Sequence, residues 1–346
     1  MNSSGADMPG KARWGVAKRG ARWYLAVVEK MDNIKKNKLR VGIPRALLYH
    51  KYGKLWEVFL RELGAAVVLS PETNKEIIAR GARLSIDESC LSVKIFVGHV
   101  DWLKDKVDVI LTPHVACLKS GEEMCVKFMA LVDTVRNIFP GVKILEYSVD
   151  AKNFETEAGG MILLGARLSR NPIKSILAYL KAKSAQETSA REKKEAQARE
   201  FEDARRDGKP LILIVAHSYT LDDNFLGKPI IDYLKKSGIC VLRSDRINAG
   251  KARKMSKKIS QTLYWTYHKE LLGAAEYYKD AVEGMIFLTT FPCGPDALAI
   301  NLCQSKMKGI PSIIISLDEL ESRVGLQTRL ESFVDVINLK KCRKNK

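Results

Sequence analysis

The chain has no CxxC pair, no G-x-x-x-x-G-K-[ST] loop and no run of roughly 18 or more apolar residues. The last absence leaves no segment suited to a transmembrane helix. The second leaves no P-loop; an actin-like ATP fold would lack that motif too, but its glycine-rich phosphate loops and paired aspartates are not apparent either. Without CxxC a zinc ribbon is disfavoured, although a site assembled from distant residues is not. Cysteine itself is sparse: 7 residues, at positions 90, 117, 125, 240, 293, 303 and 342. Their odd number and wide spacing do not suit a secreted disulfide scaffold and point to the reducing cytoplasm. Acidic residues are in deficit, 40 against 58 basic, for a net charge of +18. That balance suggests an anionic partner: nucleic acid, a phosphorylated ligand or an acidic protein surface. Nucleic acid ranks last, because no helix-turn-helix or RNA-binding signature is present and the basic residues are not interleaved with aromatics. Much of the excess falls in Lys11 to Lys38, Lys251 to Lys258 and Lys340 to Lys346, as on a solvated basic surface.

What is present is a 46% apolar composition over 346 residues, enough for two ordinary domains. The N-terminus carries scattered charges at Arg13, Lys18, Arg19 and Arg22 with no long apolar core, a poor signal peptide. Met31 precedes the first clear strand, so residues 1–38 read as a basic extension outside the fold. From there strand and helix alternate. Strands are expected at 39–43, 65–69, 107–112 and 143–147, the third closed by Pro113, with helices from Pro44 to Leu63, ending at Gly64, from Thr73 to Gly81 and beyond Cys90. Residues 39–150 thus form a first α/β domain. Residues 151–208 change character: Pro172 to Ala182 is amphipathic and Ser184 to Asp207 is almost wholly Ala, Glu, Lys, Arg and Gln, a charged helical connector. Alternation resumes at Pro210 to Val215 and continues to a helix at Leu326 to Leu339. This gives a second domain over 209–338 and a basic tail at 339–346. The fold class is α/β, two doubly wound parallel-sheet domains joined by a helical connector.

The organising stretch is Gly284 to Asp296, in which a buried strand stops at Phe291-Pro-Cys-Gly-Pro295 and a helix follows. Cys293 therefore sits on a rigid strand-to-helix turn, with Asp296 as the expected cap and Gly294 allowing close approach. A thiolate is favoured beside backbone N–H groups at a helix start. Cys90 and Cys125 also precede helices, and all three are expected at the carboxyl edges of strands, where such sheets bind ligands. Thiolates are the usual ligands of iron–sulfur clusters. Three ordinary buried thiols, or a nucleophilic Cys293 with His217 as base, fit the same spacing. Cys240, Cys303 and Cys342 read as structural.

The strings Val41-Gly-Ile-Pro-Arg45, Asp87-Glu-Ser-Cys90 with Lys94 and Gly98-His99, Cys125-Val-Lys-Phe128 with Val132-Asp133, Phe291-Pro-Cys-Gly-Pro-Asp296 and Gly325 to Phe333 occur in this order. They resemble the stand-alone proteins related to 2-hydroxyacyl-CoA dehydratases and their activases, the acyl-CoA dehydratase activase-related or "CoA protein activase" group. His217-Ser-Tyr219 and Leu263-Tyr-Trp265 fit as well. The resemblance covers about residues 39 to 338. It implies two flavodoxin-like domains with a cluster in the cleft, either a 4Fe-4S cubane held by three cysteines with one iron open or, as in some relatives, a double-cubane. Carried over, Cys90, Cys125 and Cys293 are the implied ligands, with Cys117 as the rival for the second place. Val126, where a proline often follows the cysteine, and Leu317 to Arg323 depart from the group's pattern.

The resemblance further implies an electron-accepting role. A partner ATPase with its own cluster would supply low-potential electrons, and a CoA thioester or other small substrate would be reduced or activated. A homodimer is compatible with it. His217, Tyr219 and His99 are the candidate catalytic groups, and His114 is a further candidate to support the cluster or a substrate. Lys94 and Arg45 are candidate anion binders, and Arg329 a candidate brace between domains. The rival function is a metal-free binding or scaffold protein that keeps the fold and meets an anionic ligand or partner.

Overall fold

Short runs of β-branched and aliphatic residues bounded by turn residues give the strands of the two main sheets their extended form. The computed structural model of the protein describes residues 38–320 and 323–344. The first unit comprises β1 (Arg40–Ile43), α1 (Tyr49–Glu62), β2 (Ala66–Leu69), α2 (Lys75–Leu84), α3 (Leu91–Leu103) and β3 (Val109–Leu111). It continues through β4 (His114–Lys119), β5 (Glu122–Glu123), α4 (Val126–Met129), α5 (Leu131–Ile138), β6 (Ile144–Leu145) and β7 (Ser148–Asp150). Helices α6 (Glu157–Ser169) and α7 (Pro172–Arg206) lead to β8 (Leu211–Val215), α8 (Ser218–Leu221), α9 (Gly227–Lys236) and β9 (Cys240–Arg243). The chain then forms α10 (Ala249–Ser256), α11 (Thr266–Tyr278), β10 (Gly284–Thr290), α12 (Gly294–Lys306), β11 (Ser312–Leu317) and α13 (Arg323–Lys344).

The two main sheets are parallel, ordered β2-β1-β3-β6 and β11-β10-β8-β9. In each, the chain reverses its direction of travel across the sheet beside the first strand, so the switch points lie between β1 and β3 and between β8 and β10. The expected doubly wound α/β architecture is therefore present. Every residue of β8 and of β10 is buried, as expected for strands covered by helices on both faces.

A third, three-stranded sheet, β5-β4-β7, was not foreseen. His114 to Glu123 reads as a loop because its pattern is broken by Lys119, Ser120 and Gly121. It pairs through a tight turn at Gly121, where φ is +77°, which glycine tolerates without strain.

The connector is more than a bridge. α7 runs 35 residues without a break, about 50 Å at 1.5 Å per residue. Gln186 bonds the Lys51 carbonyl and the Leu55 N–H of α1, and Gln197 bonds both the N–H and C=O of Arg243 on β9. One helix is thereby fastened to both units. α13 continues to Lys344, past the end expected at Leu339. The expected extension at residues 1–38 lies outside the described residues except for Lys38, as do the final residues of the basic tail.

Candidate functional site: a three-thiol pocket

The first unit delivers two thiols to the edge of the second. Cys90 precedes α3 directly, without a strand before it, because residues 85–90 follow α2 as turns. Its placement comes from across the domain boundary: Leu91 N–H donates to the Phe291 carbonyl at 2.9 Å, and Ser92 Oγ lies 3.1 Å from Thr290 Oγ1. Close approach of α2 and α3 sets the angle, since a Cβ on Gly81 would fall 1.8 Å from the Lys94 carbonyl oxygen, and one on Gly98 would fall 2.0 Å from that of Ile77. Cys125 follows β5 and precedes α4. The β4–β5 hairpin pins it to the second unit through Glu123 N–H to the Tyr264 carbonyl at 3.0 Å and Arg253 Nε to Glu122 at 2.9 Å. Cys293 follows β10 at the switch point and precedes α12.

Cys90, Cys125 and Cys293 line one pocket, walled by Val93, Met124, Phe128 and Trp265. All three are free and half-buried. Cys117 is elsewhere, buried in β4 with its Sγ donating to the Lys119 carbonyl at 3.0 Å. Cys303 is buried within α12 and Cys240 opens β9, as the structural reading had it; the Cys342 side chain lies outside the described part.

The expectation that these helix starts favour thiolates is overturned. Burial, the largest cause, pushes the Cys90, Cys125 and Cys293 thiols up, Cys293 furthest, and the Asp296 carboxylate adds its repulsion at all three. The backbone N–H groups of Val93, Lys127 and Asp296 act in the opposite direction and are outweighed. Such a shift is the reverse of what an activated cysteine nucleophile needs.

Asp296 is not the cap the sequence suggested. It is buried behind His217 and His268, which line the pocket: Oδ1 lies 2.8 Å from His217 Nε2 and 2.8 Å from His268 Nε2, and Oδ2 accepts from Thr289 Oγ1 at 2.6 Å. Burial raises the proton affinity of Asp296, but the two imidazoles overcome it and hold the carboxyl well below the usual range. His268 is pushed down, chiefly by burial. The carboxylate thus fixes both rings, and His217 in turn stacks on Tyr219 at 4.8 Å between centroids. Tyr219 keeps its proton far above the usual phenol range because it is buried beside Asp296 and the thiols. His268 and Asp296 are the partners that sequence reasoning missed. The spacing Trp265-x-x-His268 on one helix face was the available signal.

Other candidates are placed apart. His99 is fully buried in α3, bonded to Thr73 Oγ1, which donates to Asp223 Oδ2. His114 meets Ser148 Oγ at 3.1 Å in the third sheet. Lys94, expected at an anion, is buried and paired with Glu319 at 2.9 Å, and Arg45 pairs with Glu72 at 3.3 Å. Arg329 bonds the Ile314 carbonyl in its own unit at 2.5 Å, so it does not brace the domains through a carboxylate. Gly294 has open space where a side chain would stand, so close approach does not explain it.

His217, Tyr219 and Tyr267 also line a second, larger cavity of about 1000 Å³ between the two units. Those side chains are the partition between it and the thiols. No helix among the described residues is long and apolar enough to cross a membrane.

No curated protein matches the chain. Among solved structures, it is similar to a Lac repressor bound to ONPG in the repressed state, with 13% identity, 97% of this chain and 87% of that one covered, and a TM-score of 0.22. It is also similar to an ABC transporter solute-binding protein from Agrobacterium vitis bound with α-D-tagatopyranose, with 15% identity, 85% and 99% covered, and a TM-score of 0.21. At those scores neither likeness bears on fold or function. Residues 40–247, more than half of the chain, match the model of the CoA enzyme activase uncharacterised domain, and the chain belongs to that family.

Proposed function

We propose that Cys90, Cys125 and Cys293 hold an iron–sulfur cluster, and that the chain accepts low-potential electrons from a partner ATPase bearing its own cluster to reduce or activate a small substrate. The observation that carries this reading is the convergence of three free thiols, each preceding a different helix and drawn from both units, on one pocket with largely apolar walls. Family membership supports a place in CoA enzyme activation chemistry.

The donor set fits. Cys90, Cys125 and Cys293 would hold a cubane with one iron free of protein thiolate, and their thiols, pushed up by burial, would give up their protons on binding. When bound, a cluster with one iron free of protein thiolate supplies one-electron reduction and a Lewis-acidic position for a substrate oxygen. The void in the pocket is about 30 Å³, room for two or three waters. Val93, Met124, Phe128 and Trp265 give the pocket its apolar walls. Asp296 holds His217 and His268 in place, and the Tyr219 hydroxyl, which stays protonated, is available to donate a hydrogen bond or a proton toward a bound substrate.

The test is iron and acid-labile sulfide per chain in protein purified without oxygen, beside a Cys293→Ala variant. About four iron per chain, largely lost in the variant, is the expected result, and about eight would indicate a double-cubane. Native protein that stays metal-free after reconstitution sinks the proposal and puts a metal-free binding protein first.

A further inference from the structure

We infer that the large cavity between the two units is a binding site for an organic oxyanion, whose carboxylate or phosphate docks on Arg246. At about 1000 Å³ the cavity is of the size that holds small organic molecules. It opens at the carboxyl ends of β8 and β9 and faces the start of α1, from Tyr49 to Lys54.

Most of the charges on its walls are already matched. Lys51 pairs with Glu270 at 2.9 Å, Lys183 with Glu157 at 2.7 Å, and Arg243 with Asp222 at 2.6 Å and Asp245 at 2.8 Å. Lys54, Lys194 and Lys228 on the cavity's rim are exposed and, among the described residues, unpaired, and Arg246 is the exception among the less exposed cations. Among the described residues its guanidinium has no ion pair and no hydrogen bond, and its Nε is buried without an acceptor. The two nearby carboxylates, Asp222 and Asp245, are committed to Arg243. Across the cavity His50 Nε2 is likewise buried and unpartnered. A guanidinium presents a planar fork that matches a carboxylate or phosphate with two parallel hydrogen bonds, so an oxyanion supplies what this side chain lacks. An inorganic ion would leave most of the volume unused, which favours an organic ligand.

The fold also fixes the ligand's direction. Arg246 follows β9 and His217 follows β8, adjacent parallel strands about 4.8 Å apart. Ser244 Oγ ties the two strand ends together through the Ala216 N–H at 3.0 Å and carbonyl at 2.8 Å. An anion on Arg246 therefore leaves the rest of the ligand against His217, Tyr219 and Tyr267, the partition before the thiols. The docking stands without a cluster; only its alignment with the thiol pocket rests on the proposed function.

The experiment is titration calorimetry of the full chain with glycerol 3-phosphate, succinate and inorganic phosphate, with glycerol as the neutral control. The same titrations are run on Arg246→Met, Arg246→Lys and, as a surface control, Lys209→Met. Binding of either organic anion, weakened about tenfold or more in Arg246→Met, partly retained in Arg246→Lys and unchanged in Lys209→Met, is the expected result. Glycerol 3-phosphate alone or succinate alone would identify the group that docks. A merely structural Arg246 would lower the unliganded melting temperature on conversion to Met, whereas removal of an unpartnered cation leaves it unchanged or raised. Iron content of Arg246→Met stays at the native value, which separates this test from that of the cluster. Absence of heat from every anion at millimolar concentration, inorganic phosphate binding alone, or equal binding by Arg246→Met overturns the inference.

Discussion

The two cavities share a wall yet are built on opposite principles. The walls of the thiol pocket are largely apolar, and the carboxylate behind its two histidines, Asp296, is enclosed and satisfied by three donors. The chamber beside it is wide and charged, and most of its ion pairs keep contact with solvent. The same kinds of group thus do different work on the two sides. Enclosed charge fixes geometry and is costly to disturb, whereas wetted charge contributes little stability and is available to a ligand.

The contrast is broken most severely at Asp296. Asp296→Ala removes the shared acceptor of two buried imidazoles and is expected to cost about 3–5 kcal/mol in denaturant unfolding. Because its folded pKa is depressed, the carboxylate's stabilising effect is present above about pH 4 and lost as pH falls through the folded value. A loss under 1 kcal/mol would mean the network is not as enclosed as its geometry indicates.

Next comes the seat of Cys90. Gly81→Ala places a methyl carbon 1.8 Å from the Lys94 carbonyl and forces α2 and α3 apart. Destabilisation of about 1–3 kcal/mol or more is expected, together with impaired iron loading even though no thiol is altered.

His99 sharpens the comparison through pH. Burial lowers its pKa to about 3, so the folded protein keeps the ring neutral while the unfolded chain protonates it near pH 6.5. Stability is complete above about pH 6.5 and declines toward pH 3, by up to about 1.4 kcal/mol per pH unit. His99→Gln, which can still meet Thr73, is expected to flatten that slope in unfolding curves collected between these limits. An unchanged slope would show that another group carries it.

The smallest effect belongs to the chamber. Lys51→Met removes the pair with Glu270, whose partners are 33% and 16% exposed, and is expected to cost about 1 kcal/mol or less, diminishing further in high salt. A salt-insensitive loss of several kcal/mol would place this pair with the enclosed group and erase the distinction.

Much of the architecture could be read along the chain because it is written locally. Leu211–Val215 and Gly284–Thr290 are apolar runs closed by turn residues, and both are buried strands. Cys90, Cys125 and Cys293 could be singled out because each stands immediately before a helix, a position visible from the pattern that follows it. Strand β4 escaped because only pairing with β5 and β7 makes its mixed sequence extended. Asp296 was misread for a related reason. An acidic residue in the first turn of a helix is usually a cap or a dipole partner, and only the approach of His217 and His268, 79 and 28 residues away, turns it inward. Lys94 read as a candidate anion binder, and only the fold brings Glu319 to it.

The sequence by itself determined the alternation of strand and helix, the long connector and the helix starts that carry the thiols, since periodicity, Gly and Pro placement and charge patterning act over a few residues. Only the tertiary structure decided that three of the cysteines line one pocket while Cys117 stands apart, that Asp296 serves two histidines, and that Arg246 is left without a partner beside a large cavity. Those outcomes depend on the packing of two sheets and one shared helix, and proximity between residues tens to hundreds of positions apart follows from that packing rather than from any local pattern.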